Sequence, residues 1–129
     1  AARAARYYET AEIIEYHHNT KADYPSGTAV KTAELLAAAR SGWNARLNDT
    51  VANIPGARGG DVAGIKVHAV RLPGFIASQE VIMGDTGNFL TIRHDVTSRE
   101  AYLPGITLAS RWIVGRNELV YGLEHILDL

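Results

Sequence analysis

The stretch "EIIEYHHNTKADYPSGTA", Glu12 to Ala29, decides how the chain is read. Glu12 to His18 mixes isoleucine and tyrosine with polar residues and predicts a strand. Asn19 to Gly27 predicts a loop. From Thr28 to Arg40, the residues Ala29, Val30, Ala33, Leu36 and Ala37 recur at helical spacing. Ser26 or Thr28 can cap the start of that helix, and Gly42 sits where a left-handed terminator belongs. One short segment therefore gathers His17, His18 and Lys21 and then opens a helix with glycine at its mouth.

Upstream, "AARAARYY" is helical in composition but has no capping residue before Ala1. It is expected to be the back end of a helix, and the chain a fragment of something longer. Downstream, Trp43 to Gly60 has no periodicity and predicts a long loop. Gly64 to Leu72 alternates, with Ile65, Val67 and Ala69 on one face and Lys66, His68 and Val70 on the other. Pro73-Gly74 turns the chain, Phe75 to Met83 alternates again, and "GDTGN" predicts a hairpin into Phe89 to Val96. These three strands are expected to form a meander. Ser98 to Val114 predicts a second helix, with Pro104 in its first turn and Gly115 at its end. The fold class expected is α+β: a mixed four-stranded sheet, two helices on one face and a long loop. The uncovered sheet face calls for a second copy, so a homo-oligomer, dimer or tetramer, is expected.

The chain has 129 residues, 47% hydrophobic and 21% charged, with formal net charge −1, and reads as a single domain. No global basic field argues for nucleic acid or a membrane surface, so anion binding must be local. There is no cysteine, which excludes disulfides and thiolate chemistry and fits a cytoplasmic setting. No apolar run approaches the ~20 residues of a membrane span.

Histidine titrates near ~6.5 and can exchange a proton at working pH. Lys21 adds a permanent charge beside the two histidines. In an extended strand His17 and His18 point to opposite faces, so a shared metal is disfavoured against an anion. A metal-dependent hydrolase built on His17 is the weakest reading. Taken alone, His17, His18 and Lys21 are better explained by plain solvation at a strand end. "PSGT" shifts the balance. Gly27 removes a side chain, and the N–H groups of Gly27 and Thr28 would point out of a helix N-terminus carrying roughly half a positive charge. Ser26 and Thr28 add hydroxyl donors, although plain capping also accounts for them. Ser26 lacks the Gly-x-Ser-x-Gly elbow of a nucleophile, and "GARGG", Gly56 to Gly60, is neither a phosphate loop nor a dinucleotide fingerprint. Arg58 in that loop could close over an anion or simply be solvated. Arg99, at a helix start, opposes the helix dipole and has no assigned role. His68 and His94 are expected to be satisfied sheet histidines. Glu15 and Asp23 flank the cluster and could orient His or Lys.

These residues resemble the signature of the 4-hydroxy-tetrahydrodipicolinate reductase (dihydrodipicolinate reductase) family, Glu-x-His-His-x-x-Lys-x-Asp-Ala-Pro-Ser-Gly-Thr-Ala. It falls on Glu15, His17, His18, Lys21, Asp23, Pro25, Ser26, Gly27, Thr28 and Ala29, with Tyr24 in place of the usual alanine. The likeness continues through "GARGGDVAGIKVHAVRLPG", "LTIRHDVTSR" and "GLEHILDL", which look actinobacterial-like. It covers the whole chain but only the carboxy-terminal half of that enzyme, the substrate-binding and tetramerisation domain. The amino-terminal Rossmann domain that binds NADH or NADPH in the family is not within it, so no cofactor is expected on this chain alone. The resemblance implies that His17 is the general acid as hydride arrives, with Lys21 as its partner. It implies that His18, Ser26 and the Gly27 and Thr28 amides cradle a carboxylate of a small dicarboxylate substrate. Two functions follow as expectations. One is the substrate-binding domain of that reductase, inactive by itself for want of a hydride. The other is a catalytically silent, stand-alone oligomeric domain.

Overall fold

Thr10 to His17 forms the strand expected around Ile13, and the sheet is built outward from it on both sides. The computed structural model describes residues 1–45, 47 and 51–127. The loop expected over Trp43 to Gly60 therefore lies partly outside the described residues, at 46 and 48–50, as do the last two residues of "GLEHILDL". The chain divides into two compact units, 1–96 and 97–129, each taken by itself below.

The first unit contains a short helix α1 (Ala2–Ala5), then β1 (Thr10–His17), α2 (Gly27–Ala39), β2 (Gly60–Val62), β3 (Ile65–Arg71), β4 (Ala77–Asp85) and β5 (Asn88–Val96). The sheet order is β2-β3-β1-β4-β5, with β1 parallel to β3 and antiparallel to β4. Residues 11, 13 and 15 of β1 are buried on one face, where Ile13 meets Val67 of β3 and Val81 of β4 in register. Helix α2 lays Ala29, Ala33 and Leu36 on that face, a stripe at helical spacing. Its alanines let the helix come close to the sheet, and Leu36, Ile13, Ile65 and Met83 fill the space between. Each such large apolar side chain contributes about 1.5–3 kcal/mol.

Two expectations are corrected. The sheet has five strands, because Gly60–Val62 turns through Ala63-Gly64 and pairs antiparallel with β3. That turn places an alanine at φ 53°, so it lacks the Asn-Gly or Asp-Gly pair that signals a hairpin. Gly59, just before it, has φ +72°, and a Cβ there would lie 2.5 Å from the Val67 carbonyl oxygen, so only glycine fits. The three later strands are also not a meander, since β1 lies between β3 and β4. The five residues Leu72 to Ile76 are too long for a tight hairpin. They cross the end of β1, where the Leu72 N–H donates to the His17 carbonyl at 3.2 Å.

The top of the central pair is closed by Asn44, at φ 59°. Its Oδ1 accepts from the Ala11 N–H at 3.0 Å, and its Nδ2 donates to the carbonyls of Ala11 (3.1 Å) and Gly64 (2.8 Å). Trp43 donates its ring N–H to the Leu36 carbonyl at 3.1 Å and closes the end of α2. On the face of the sheet turned away from α2, Ile14, Tyr16, Val70 and Ile82 are half-buried and Phe89 is 75% exposed. Arg93 lies over the Tyr16 ring, 5.1 Å from its centroid, and pairs with Glu80 and Asp95. The second unit begins with a 3-10 turn, Arg99–Tyr102, capped by Ser98, and runs into α3 (Leu103–Trp112) with Pro104 in its first turn. Ser98 to Val114 is thus two helical segments in place of one. A further 3-10 turn spans Leu123–His125.

Candidate functional site

The parallel strands β1 and β3 end side by side at His17 and Arg71, which are register partners. Such strand ends, followed by a loop into a helix N-terminus, are where α/β architectures place ligands. Period-2 alternation carries Ile13, Glu15 and His17 along one face of β1, and Val67, Ala69 and Arg71 along the same face of β3. A polar pair thus forms where the apolar face runs out.

Glu15 is the hub of this region. Its side chain is 0% exposed. The Arg71 guanidinium grips it with both terminal nitrogens, Nη1 to Oε2 at 2.8 Å and Nη2 to Oε1 at 2.6 Å. The His17 Nδ1 lies 2.5 Å from Oε2, and the Ser26 N–H donates to Oε1 at 3.1 Å. Burial pushes the Glu15 carboxyl up, but the bonds from Arg71, His17 and Ser26 outweigh it and hold it below the usual carboxylate range. Arg71 reaches further and donates to the carbonyls of Asp23 (2.9 Å) and Val70 (2.8 Å).

The loop residues close around this hub. Lys21 Nζ meets Asp23 Oδ1 at 2.6 Å, which holds the Asp23 carboxyl below its ordinary value. His18 Nδ1 lies 2.7 Å from the Thr20 hydroxyl. Tyr24, 76% exposed, precedes Pro25 through a cis peptide. Ser26 caps α2, its Oγ accepting from the Ala29 N–H at 3.3 Å. Gly27 and Thr28 supply the first N–H groups of α2, in the turn where a helix leaves its donors without intrahelical partners. The space where a Gly27 side chain would stand is open. His17, Lys21 and Ser26 are thus tied to one network through Glu15, Arg71 and Asp23, whereas His18 is anchored separately on Thr20.

The family described as dihydrodipicolinate reductase, C-terminus, matches residues 1–127. The chain belongs to the dihydrodipicolinate reductase C-terminal family. Among similar proteins, the 4-hydroxy-tetrahydrodipicolinate reductase of Carboxydothermus hydrogenoformans is 53% identical over 127 residues, 98% of this chain and 48% of the relative. That of Streptococcus sanguinis is 51% identical over 127 residues, 98% of this chain and 50% of the relative. The solved dipicolinate-bound dihydrodipicolinate reductase from Paenisporosarcina sp. TG-14 superimposes with a TM-score of 0.86 at 42% identity, over 97% of this chain and 47% of that one. The chain spans about half the length of the curated relatives it matches. The α+β class with a mixed sheet is that of this family domain.

Other polar residues fall elsewhere. Arg58 donates to the Glu12 carboxylate, which His68 Nε2 also meets at 2.8 Å, on the sheet face turned away from Glu15. It does not stand over the His17 cluster, while His68 is satisfied within the sheet. Arg99 opens the 3-10 turn of the second unit. Among the described residues, no group of three His, Asp or Glu side chains is placed to hold a metal ion. The residue that sequence reasoning missed is Arg71. Its signal was the alternation Ile65, Val67, Ala69, Arg71, which puts it on the buried face of β3. Only the parallel register shows that it meets Glu15.

Proposed function

We propose that this chain is the substrate-binding and oligomerisation domain of a nicotinamide-dependent reductase in lysine and diaminopimelate biosynthesis. The reaction takes 4-hydroxy-tetrahydrodipicolinate to tetrahydrodipicolinate in the cytoplasm. The observation that carries the reading is the gathering of His17, Arg71 and the Ser26 helix mouth about one buried carboxylate, with Lys21 linked to it through Asp23, in a fold shared with a dipicolinate-bound relative. In this reading His17 is the general acid and Lys21 its cationic partner. His18, Lys21, Ser26, Gly27 and Thr28 clamp the substrate carboxylates. A planar diacid needs an anion clamp at each end and a proton source between them, and these residue types supply both.

The residues present do not fit a dinucleotide. The β1-to-α2 turn reads Tyr-Pro-Ser-Gly-Thr, without the Gly-x-Gly-x-x-Gly turn that brings backbone against pyrophosphate. NADH or NADPH therefore falls to the other half of the relatives' length, and no turnover is expected of the isolated 129-residue chain. The sheet face bearing Ile14, Tyr16, Val70, Ile82 and Phe89 is read as the contact between copies, giving a dimer or tetramer.

The test is titration with pyridine-2,6-dicarboxylate, followed by histidine NMR and calorimetry. The His17 and His18 resonances are expected to move. Lys21→Ala should weaken binding about tenfold or more, the scale of one lost charge-assisted bond. Silent histidines and no heat would favour the catalytically silent oligomeric domain.

A further inference from the structure

The Glu15–Arg71 pair fixes which nitrogen of His17 can handle a proton. An ionised carboxylate only accepts hydrogen bonds, and a guanidinium only donates. Oε2 of Glu15 receives Arg71 Nη1, and His17 Nδ1 lies against the same oxygen at 2.5 Å. Nδ1 must therefore carry the hydrogen, whether the ring is neutral or cationic. The exchangeable position is left at Nε2. Glu15 on its own strand bonds this ring, and Arg71, the register partner of His17 on β3, shares the same carboxylate. In the loop that follows, the charged and titratable groups are His18, held on Thr20, and the Lys21–Asp23 pair. On β4 the register partner of His17 is the uncharged Ala77. The same guanidinium holds the Asp23 carbonyl, and the Asp23 carboxylate holds Lys21.

We propose that Glu15, clamped by Arg71, is the positioning residue of this site: it locks His17 in the Nδ1–H tautomer, so that Nε2 delivers the proton to the bound diacid. The inference rests on the reading of His17 as the general acid. Arg71 extends the same order to Lys21 through Asp23, so one buried ion pair sets the spacing of both groups. A carboxylate orienting an imidazole from behind is how a histidine is prepared for proton transfer.

Glu15→Gln separates positioning from packing, because the amide keeps the shape but has one acceptor and one donor. If the amide oxygen takes the Oε1 place, it keeps the bonds from Ser26 N–H and Arg71 Nη2. If it takes the Oε2 place, it loses both. The first arrangement sets the NH2 group against one donor, Arg71 Nη1, and the second sets it against two, Arg71 Nη2 and the Ser26 N–H, so the first is favoured. It turns the NH2 group toward Nδ1 of His17, which must then become an acceptor.

The experiment records long-range ¹⁵N–¹H correlations of the histidine rings in the full 129-residue chain, with and without pyridine-2,6-dicarboxylate. In the unmutated protein His17 is expected as the Nδ1–H tautomer, with its Nε2 shift moving on addition of the diacid. In Glu15→Gln the tautomer is expected to invert, and diacid affinity to fall about tenfold or more. An Nε2–H tautomer in the unmutated chain overturns the proposal, and needs no variant to fold. A tautomer unchanged in a folded Glu15→Gln overturns it as well. An Nδ1–H tautomer that ignores the diacid upholds the positioning and overturns the reading of the pocket.

Discussion

Replacing Arg71 by methionine should flatten the protein's rise of stability with pH through the acid range. In the native chain Glu15 is fully buried and bonded by Arg71, His17 and Ser26, and its carboxyl titrates below the ordinary value. A carboxylate with a lowered folded pKa adds stability that is present above its unfolded value, near 4.5, and is lost as pH falls through the folded one. Arg71→Met removes both guanidinium bonds and leaves only the His17 and Ser26 bonds to oppose burial, so the folded pKa of Glu15 rises from its native position. The stability that Glu15 gains from ionising therefore shrinks, and the rise of stability with pH through the acid range flattens. At neutral pH the cost should be about 3–5 kcal/mol, the scale for stripping one partner from a buried ion pair. For a chain of this size that is a fall in Tm of roughly 10–20 °C. Urea melts of both proteins from about pH 4 to about pH 8 measure the two slopes. Curves that rise together with pH, separated by a constant offset, would refute the claim that Arg71 keeps Glu15 ionised.

Asn44→Ala removes three side-chain bonds that join the start of β1 to β3 and should cost about 2–4 kcal/mol in urea melts, with little effect on diacid binding. A loss under about 0.5 kcal/mol would mean water replaces the amide there. Ile82→Glu puts a further charge on the open sheet face, across from Glu12 and Thr91, and should convert an oligomer to a folded monomer by light scattering. An unchanged oligomer would place the contact between copies elsewhere.

Much of the first unit was legible because its elements are amphipathic. The Ala29, Ala33, Leu36 stripe and the alternation around Val67 and Val81 fix α2, β3 and β4 to within a few residues. Neighbour relations were not legible, since alternation tells which face a residue takes and says nothing of which strand lies beside it. Hence β1 was not seen to separate β3 from β4. Three-residue β2 was too short to alternate, and its Ala63-Gly64 turn gave no warning. At the site, the motif marked His17, His18, Lys21 and the Ser26 cap. The role of Glu15 depended on a partner 56 residues away. Arg58 misled for a related reason: its loop position was visible, but not that its neighbour is Glu12 on the opposite face.

The chain passes through α2 and the long connection after it before β3 can dock alongside β1. Local hairpins such as β4–β5 can zip early, whereas this distant pairing carries the larger loop-closure penalty. The imidazole and the helix mouth meet Glu15 within a local segment, whereas the guanidinium joins them only through that pairing. On the proposed reading, diacid binding would therefore report the docked β1–β3 pair: a chain with β4–β5 zipped but β3 undocked would lack the Arg71 clamp on Glu15.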